Sequence, residues 1–366
     1  GMLSHTITGI GDGDAFDNST ALNASLVTDD QRAGLYIFGQ NRHRSAYDHD
    51  GDGYSEIPKL HGQTIGFRSF LKTTTYSKLT FEYHHMEEFR RGGDLLNRPP
   101  HEANVAEQTE HSINGGGLKF DYFSPNENHR FNVFASAQHI NRDSYYGPGD
   151  RDPLDAYGNT TDLNWMAGSQ YVYSFGKCIF MPSDLTAGIE FNQDKLEDNM
   201  WGYNRTVDQK VNIGSAFFQN EWKNEHWGFL IGGRLDKHNL IDHVIFSPRA
   251  NLRYNPTENI NLRFSYSSGF RAPQAFDEDL HVENVGGNVA MVELADNLKE
   301  ERSQSLSVSA DIYHRFGAFQ VNFLVEGFYT KLSDVFALTD GEVVDGILTR
   351  TRHNASGAQV LGLTLE

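Results

Sequence analysis

The sequence has a single cysteine, Cys178, among 366 residues. One cysteine excludes an intrachain disulfide framework and a cysteine metal cluster. Basic residues are also scarce, with 31 Lys and Arg against 49 Asp and Glu, which gives a net charge of −18. No basic surface is therefore expected to neutralise phosphates, so nucleic acid is not an expected partner. No apolar run approaches the roughly 18 residues that a membrane helix needs.

The composition favours amphipathic β-strands. Hydrophobic residues make up 38% of the chain, below the roughly 45–50% that is usual for globular proteins. Aromatic residues make up 12%, which argues against disorder because disordered chains lack them. Many Phe and Tyr residues, with 35 Gly against 10 Pro, suit strands joined by glycine-rich turns. A membrane protein remains possible, since a spanning strand shows only alternation.

Apolar and polar residues alternate through most of the chain, for example in 131–138, 261–266 and 319–326. A period of two places one set of side chains on each face of a strand. The pattern predicts about sixteen strands, at 20–27, 32–46, 61–71, 76–89, 108–123, 129–142, 161–175, 183–195, 211–223, 226–238, 247–255, 259–268, 302–315, 318–332, 345–353 and 357–366.

The predicted connections alternate in length. Short turns are predicted at 28–30, 73–75, 125–127, 224–225, 255–258 and 315–317. Long polar segments are predicted at 47–60, 90–107, 143–160, 196–210, 269–301 and 333–344. In an up-and-down meander every second connection lies at the same end, so one end has tight turns and the other has long loops. This asymmetry is typical of an outer-membrane barrel with one face toward lipid and one toward a wet lumen.

Five segments carry a family resemblance. They are Gly-Gly-Arg-Leu-Asp from residue 232, Ser-Pro-Arg from 247, Phe-Arg-Ala-Pro from 270, Leu-Lys-Glu-Glu-Arg-Ser from 298, and the terminal segment 354–366. In this order they resemble the barrel of TonB-dependent outer-membrane receptors. The resemblance implies an all-β fold, an antiparallel up-and-down transmembrane β-barrel over residues 1–366. It implies about 16 strands of a 22-stranded barrel.

The resemblance also sets expectations about completeness. Family members begin with a plug domain that bears the TonB box, and nothing in 1–366 resembles it. The family ends at an aromatic residue, whereas Glu366 follows the start of a strand. We therefore expect a partial barrel without its plug and last strands, and one that does not transport alone. Unpaired strand edges are costly in lipid.

The resemblance implies a transport receptor in the bacterial outer membrane and not an enzyme. Such a receptor captures a scarce large solute, an iron–siderophore complex, haem or cobalamin, for uptake energised by TonB. The implied partners are TonB through the plug, the solute, outer-membrane lipid and a surface lipoprotein. The alternatives are a secreted soluble β-rich protein that binds or cleaves carbohydrate, a SusC-like oligosaccharide importer, and a general diffusion porin.

The segment 48–56, Asp-His-Asp-Gly-Asp-Gly-Tyr-Ser-Glu, predicts a calcium site. Alternating carboxylates followed by Gly match the first half of an EF-hand loop, and calcium prefers several oxygen ligands. The predicted ligands are Asp48, Asp50, Asp52, the carbonyl of Tyr54, and Glu56. Lys59 occupies the position where an EF-hand needs a bidentate Glu, so the segment is not an EF-hand. A solvated acidic turn is the alternative interpretation.

A second acidic and aromatic segment, 145–157, predicts a ligand-binding loop. Loop aromatics supply contact area for a solute, and carboxylates hold cations. The predicted ligand-binding residues are Tyr145, Tyr146, Asp150, Asp152, Tyr157 and, at the base of another loop, Arg271. Turn chemistry with an interfacial aromatic girdle is the alternative for 145–157. For Arg271 the alternative is a structural role at the end of a strand.

Overall fold

The computed structural model describes residues 1–148, 157–276, 280, 283–285, 288–344 and 347–366. The strands are β1 (Met2–Ile10), β2 (Ala15–Val27), β3 (Ala33–Arg44), β4 (Ser55–Thr74), β5 (Ser77–Gly93), β6 (Val105–Phe123), β7 (His129–Pro148), β8 (Tyr157–Cys178), β9 (Met181–Met200), β10 (Arg205–Lys223), β11 (Trp227–His238), β12 (Ile245–Thr257), β13 (Ile260–Arg271), β14 (Glu283–Val285), β15 (Asn288–Leu294), β16 (Glu301–Phe316), β17 (Phe319–Ser333), β18 (Phe336–Leu338), β19 (Glu342–Val344), β20 (Ile347–Asn354) and β21 (Gly357–Leu365). Short 3-10 helices lie at Pro100–Glu102 and Trp201–Tyr203. No helix in the described parts of the chain is long and apolar enough to span a membrane.

Sixteen of these strands form one antiparallel sheet, called the wall here. Its order is β1 to β13, then β16, β17 and β21, so each strand pairs with the wall strand that follows it in the chain. This order confirms the predicted up-and-down meander. Among the described residues β1 pairs only with β2 and β21 pairs only with β17. The wall therefore has two edges that do not pair with each other.

The predicted number of strands agrees with the number in the wall, but two of the strands differ. The alternation missed β1, which pairs with β2 along its whole length. Its pattern is weak because His5 shares a face with Leu3 and Ile7. The predicted wall strand 345–353 is wrong, since β20 pairs with β15, β18 and β19 in a separate sheet.

The two ends of the wall differ as predicted. At one end the connections are 28–32, 75–76, 124–128, 179–180, 224–226, 258–259 and 317–318, and we call this the turn end. The prediction of long loops at the opposite, loop end needs correction. Strand covers most of 196–210, the described parts of 143–160 and the two ends of 90–107, because the hairpins β9–β10, β7–β8 and β5–β6 extend into these segments. The longest connections are 272–300 and 334–356.

The two faces of the wall have opposite character. On β9, Ile189 is 64% exposed and lies opposite Ala216 of β10, which in turn lies opposite Leu235 of β11. The adjacent row carries polar groups, and Arg234 binds Glu190 at 2.8 Å on this side. Exposed apolar side chains in the middle of long strands fit contact with lipid tails. We call the apolar face outer and the polar face inner.

Aromatic residues cluster on the outer face near the turn end. Trp227 stacks on Tyr254 with ring centroids 4.1 Å apart, and Phe180 stacks on Trp222 at 5.6 Å. Transmembrane barrels carry girdles of aromatic residues where the apolar band meets water. This cluster therefore marks one border of the band.

A second sheet lies at the loop end. Its order is β14, β15, β20 and β18, with β19 also paired to β20. The pairing of β15 with β20 is parallel and joins the connection 272–300 to the connection 334–356. The two longest loops therefore form one hydrogen-bonded unit over the wall.

Candidate functional site

The acidic loop 48–56 lies at the loop end, between β3 and β4. Two backbone hydrogen bonds between Tyr47 and Ile57, at 3.0 and 3.1 Å, close its base. Four carboxylates each bring one oxygen to within 4.8 Å of the others, those of Asp48, Asp50, Asp52 and Glu56. The sequence spacing thus brings these four predicted ligands together.

Backbone amides hold the carboxylates of this loop in place. The N–H groups of Gly51 and Gly53 donate to the carboxylate of Asp48, at 2.7 and 2.8 Å. The N–H of Tyr54 donates to Asp52 at 2.8 Å. Gly51 and Gly53 have φ of +78° and +93°, a region where a side chain is strained, so glycine suits the tight winding of the loop. The loop conformation is built by its own Asp and Gly residues.

The donor set of the acidic loop fits a hard cation. Calcium ligands lie about 2.3–2.6 Å from the ion, so two ligands on opposite sides are separated by about 5 Å. The 4.8 Å spread of the carboxylate oxygens is compatible with that distance. Lys59 offers no side-chain oxygen to a cation, and its ammonium group lies 5.9 Å from the centre of the Phe89 ring. The contact through the Tyr54 carbonyl stays a prediction.

Tyr145 and Tyr157 pack against each other on the outer face, beyond the apolar band. Tyr145 shares a face of β7 with Phe131 and Val133, and its side chain is only 1% exposed. Its ring meets the Tyr157 ring edge to face at 4.8 Å, and the Tyr157 hydroxyl is 2.9 Å from Nδ1 of His101. Burial raises the pKa of both phenols. The connection 94–104 covers this pair, and solute contact by these residues stays a prediction.

Tyr146 points the other way, toward the inner face. It is 5% exposed and belongs to a buried cluster with Met200, Tyr203 and Met291. The Tyr203 hydroxyl donates a hydrogen bond to the Tyr146 carbonyl. Because Met291 belongs to β15, this cluster fastens the second sheet to the wall. Asp150 and Asp152 lie outside the described residues.

Arg271 takes part in a cation–aromatic cluster at the end of β13. Its guanidinium lies 3.9 Å from the Phe276 ring centre and 5.6 Å from that of Phe336. The Arg352 guanidinium lies about 6 Å from the same two rings. Such contacts are worth about 0.5–2 kcal/mol, more when desolvated. This packing fits the structural alternative and links β13, β18 and β20, while a solute contact by Arg271 stays a prediction.

The segment that follows Arg271 crosses the inner face of the wall, and we call Ala272–Phe276 with Leu280 the strap. The side-chain amide of Gln209 binds the backbone of Ala275 twice, accepting at 2.7 Å and donating at 3.3 Å. Arg205 donates to the carbonyl of Leu280 at 2.8 Å. The strap is therefore held to β10 by backbone and side-chain hydrogen bonds.

Sequence reasoning missed the buried ionic network beneath the strap. Asp198 is 1% exposed, and its carboxylate accepts from Arg205 at 2.8 Å and from Thr160 at 2.6 Å. Arg142 lies 3.7 Å from the same carboxylate and donates to the Thr160 hydroxyl at 3.1 Å. Strand pairing places Arg142 opposite Thr160 and Thr160 opposite Asp198. The sequence carries no local pattern that joins these residues, and their proximity becomes visible only once the register of the neighbouring strands is known.

Comparison with known proteins agrees with this architecture. The family model described as "TonB dependent receptor-like, beta-barrel" matches residues 6–366. Among solved structures, the siderophore receptor PirA from Pseudomonas aeruginosa is similar, with a TM-score of 0.77 and 13% identity over 99% of this chain and 61% of that one. A variant of the ferric enterobactin receptor PfeA from the same organism, in complex with enterobactin, gives 0.77 and 14% over 99% and 59%.

A third similar structure is a double mutant of the Serratia marcescens hemophore receptor HasR in complex with its hemophore HasA and heme. Its TM-score is 0.72, with 14% identity over 99% of this chain and 60% of that one. No curated protein matched the chain. The chain spans about three-fifths of the length of these solved receptors, and identities this low support only the fold. The family match over nearly every residue, on a sixteen-stranded meander, shows that the chain belongs to the TonB-dependent receptors and forms a β-barrel wall of the bacterial outer membrane.

Proposed function

We propose that this chain is the barrel part of a receptor that captures an iron chelate at the cell surface for TonB-energised uptake. The family match over residues 6–366 carries the proposal. The family consists of transport receptors, so catalysis on the solute is not part of this function. The polar inner face and the loop assembly at the loop end supply a polar surface at which a large solute can be held.

The proposed solute is a ferric siderophore or haem. The similar solved receptors include a siderophore receptor, a ferric enterobactin receptor in complex with enterobactin, and a hemophore receptor in complex with its hemophore and heme. Cobalamin is the second candidate, because a calcium-ordered acidic loop would preorganise flexible loops before the solute arrives. TonB, outer-membrane lipid and a surface lipoprotein are the proposed partners.

Growth under iron limitation tests this function. The full-length receptor that contains this chain is expressed in a strain that lacks its own siderophore and haem receptors, and each iron source is supplied alone. We expect growth on one ferric siderophore or on haem, and no growth when TonB is deleted. Growth that persists without TonB contradicts the mechanism. Uptake of cobalamin without growth on any iron chelate would show that the solute is cobalamin, the second candidate.

We also propose that the acidic loop binds calcium through Asp48, Asp50, Asp52 and Glu56. Support comes from the 4.8 Å convergence of their oxygens and from the preference of calcium for carboxylate ligands. Calorimetry on the full-length receptor is expected to detect calcium binding that Asp52→Ala abolishes. Asp29→Ala, in an exposed acidic turn at the opposite end of the wall, is the matched control and leaves binding unchanged. Absence of calcium affinity in the unaltered receptor contradicts this proposal.

A further inference from the structure

Three arginines gather on one part of the inner face, on β12 and β13. Arg234 of β11 faces inward and lies opposite Ser247 of β12. Because side chains alternate along a strand, Arg249 and Arg253 of β12 face inward as well. Arg263 of β13 lies opposite Arg253 and shares its face. The side chains of Arg249 and Arg263 are exposed and that of Arg253 is half-buried.

The hydrogen-bond partners of these three arginines are uncharged. Arg249, Arg253 and Arg263 donate, in that order, to a side-chain oxygen of Gln219, the carbonyl of Asn224 and a side-chain oxygen of Asn261. In the described part of the chain no carboxylate forms an ion pair with them. Arg234 on the neighbouring strand, in contrast, pairs with Glu190 and Asp236 at 2.8 and 2.7 Å. The three arginines therefore keep a positive charge that is available to a partner.

Two acids border the three arginines without neutralising them. Asp311 of β16 accepts a hydrogen bond from the Tyr313 hydroxyl at 3.0 Å. Glu326 of β17 lies opposite Ser309, one strand beyond the row of Arg263. With both acids ionised, the local charge is 3 − 2 = +1, although the whole chain carries −18. This part of the inner face therefore attracts anions.

Serine hydroxyls cover the surface beside the arginines. The register places serines of β16 opposite residues of β13, namely Ser305 opposite Ser267, Ser307 opposite Ser265 and Ser309 opposite Arg263. The hydroxyls of Ser265 and Ser307 lie 3.1 Å apart. A serine hydroxyl can donate as well as accept, and its side chain is short. We call the three arginines and these five serines the arginine–serine patch.

Strand pairing holds the three charges of the patch in fixed positions. Arg253 and Arg263 lie directly opposite each other, where Cβ atoms are about 5 Å apart and like charges destabilise the sheet. Arg249 lies four residues from Arg253, which is about 14 Å along the strand. An anion beside these groups relieves their repulsion, and guanidinium groups bind oxyanions with paired hydrogen bonds. The spacing suits a large anion with several charged groups.

The patch lies between the two ends of the wall. Tyr254, the neighbour of Arg253 in sequence, stacks on Trp227 in the aromatic cluster near the turn end. Ile245, at the other end of β12, is buried against Ile241 and Ala272 at the loop end. A solute that moves along the inner face from the loop end to the turn end therefore passes the level of the patch.

We propose that the arginine–serine patch binds a polyanionic iron(III) chelate during its passage from the loop end to the turn end. This inference rests on the proposed function and narrows its solute to a chelate with several negative charges. Iron(III) bound by three catecholates carries 3 − 6 = −3, whereas iron(III) bound by three hydroxamates carries 3 − 3 = 0. The guanidinium groups attract the first chelate by charge, and the serine hydroxyls donate to its oxygens.

The test measures uptake of radiolabelled iron by cells that express the full-length receptor and lack their own siderophore and haem receptors. The probes are a hexadentate tris-catecholate chelate of iron(III) and a hexadentate tris-hydroxamate chelate. In the triple variant Arg249→Gln, Arg253→Gln and Arg263→Gln, we expect the maximal uptake rate of the anionic chelate to fall at least tenfold. The rate for the neutral chelate is expected to fall less than twofold. The half-saturating concentration of the anionic chelate should stay within twofold, because capture at the loop end precedes the patch.

Two further variants separate charge from folding. A triple variant with lysine at 249, 253 and 263 keeps the three positive charges and is expected to retain at least half of the uptake rate. The matched control replaces three inner-face cations that already pair with acids, by the substitutions Arg68→Gln, Lys119→Gln and Lys223→Gln. It is expected to change the uptake rate less than twofold. Heat-modifiable mobility in gels checks that each variant is folded.

Several outcomes would overturn the inference. They are unchanged uptake in the glutamine variant, an equal loss for both chelates, and an equal loss in the lysine variant. Loss of folded mobility in the glutamine variant would show that the patch holds an acidic part of the receptor itself, which also contradicts the inference. Growth on haem or on the neutral chelate without uptake of the anionic chelate overturns this inference alone. Growth on no iron source overturns the proposed function, and this inference with it.

Discussion

The half of the wall near the turn end, called the lower wall here, and the half near the loop end, called the upper wall, consist of the same strands. The two halves differ in what covers their faces. Near the turn end β9 exposes Ile189 outward and turns Glu190 inward, as lipid and a wet lumen require. Near the loop end the same strand buries Leu196, Asp198 and Met200 under the strap and the second sheet. In the lower wall the residue pattern follows the two solvents, with apolar side chains toward lipid and polar side chains toward the lumen. In the upper wall it follows specific side-chain contacts with the strap and the second sheet.

The largest expected effect comes from breaking the ionic network of the upper wall. Asp198→Ala leaves Arg142 and Arg205 buried without the carboxylate they share, and loss of one member of a buried ion pair costs about 3–5 kcal/mol. Asp184→Ala removes a carboxylate near the turn end that is 21% exposed, and its pairing with Lys223 is worth about 1 kcal/mol or less. Urea unfolding of the full-length receptor in vesicles measures both. Equal losses would contradict the distinction between the two parts.

The next effect tests the lipid contact of the lower wall. Ile189→Arg places a charge on the outer face within the apolar band, which costs about 2–4 kcal/mol near the bilayer midplane. Glu197→Arg, on the same face and strand but beyond the band, is the matched control, and its expected cost is about 0–1 kcal/mol. The folded fraction in vesicles, measured by gel mobility, reports the difference. A harmless Ile189→Arg would show that this face does not meet lipid.

The smallest expected effect is a pH dependence at the loop end of β11. His238 is fully buried, accepts from the Leu240 N–H at 3.0 Å, and lies 3.3 Å from Gln274 of the strap. Burial lowers the pKa of His238. The unfolded chain therefore binds the proton more readily, and stability falls by up to about 1.4 kcal/mol per pH unit below the unfolded pKa of about 6.5, until the folded pKa is reached.

Unfolding free energies between pH 7.5 and 5 check this expectation. His238→Gln removes the titrating group and should flatten that part of the profile. His314→Gln changes an exposed histidine on β16 and should leave the profile unchanged. A profile that keeps its slope in His238→Gln would assign the pH dependence to other groups.

Alternation predicted the lower wall because lipid and lumen impose it on every strand. The predicted strand 129–142 falls within β7, and the predicted strand 318–332 matches β17 to within one residue at each end. The order of the meander was also confirmed. The prediction weakened where polar and apolar residues occur on both faces of a strand, so the hairpin extensions in 90–107, 143–160 and 196–210 were assigned to loops. Above the apolar band water or protein covers both faces, and the period of two disappears from hydrophobicity.

The candidate sites divide in the same way. The acidic loop is local in sequence, so the spacing of Asp48, Asp50 and Asp52 was enough to predict that their oxygens converge. The strap network joins Arg142, Asp198 and Arg205 across three strands, and no local pattern encodes such contacts. The burial of Tyr145 was equally inaccessible, because the connection that covers it lies about 40 residues earlier in the chain.

Accessibility scanning along β9 tests the central comparison most directly. Single spin labels are placed from 185 to 199 in full-length receptor in which Cys178 is replaced by serine, and collisions with oxygen and with a water-soluble nickel chelate are measured in lipid vesicles. The account predicts that oxygen accessibility is high at 185, 187, 189 and 191 and low at the residues between them, and that this alternation ends by 196. No alternation over 185–191, or the same oxygen alternation continuing to 199, would contradict it.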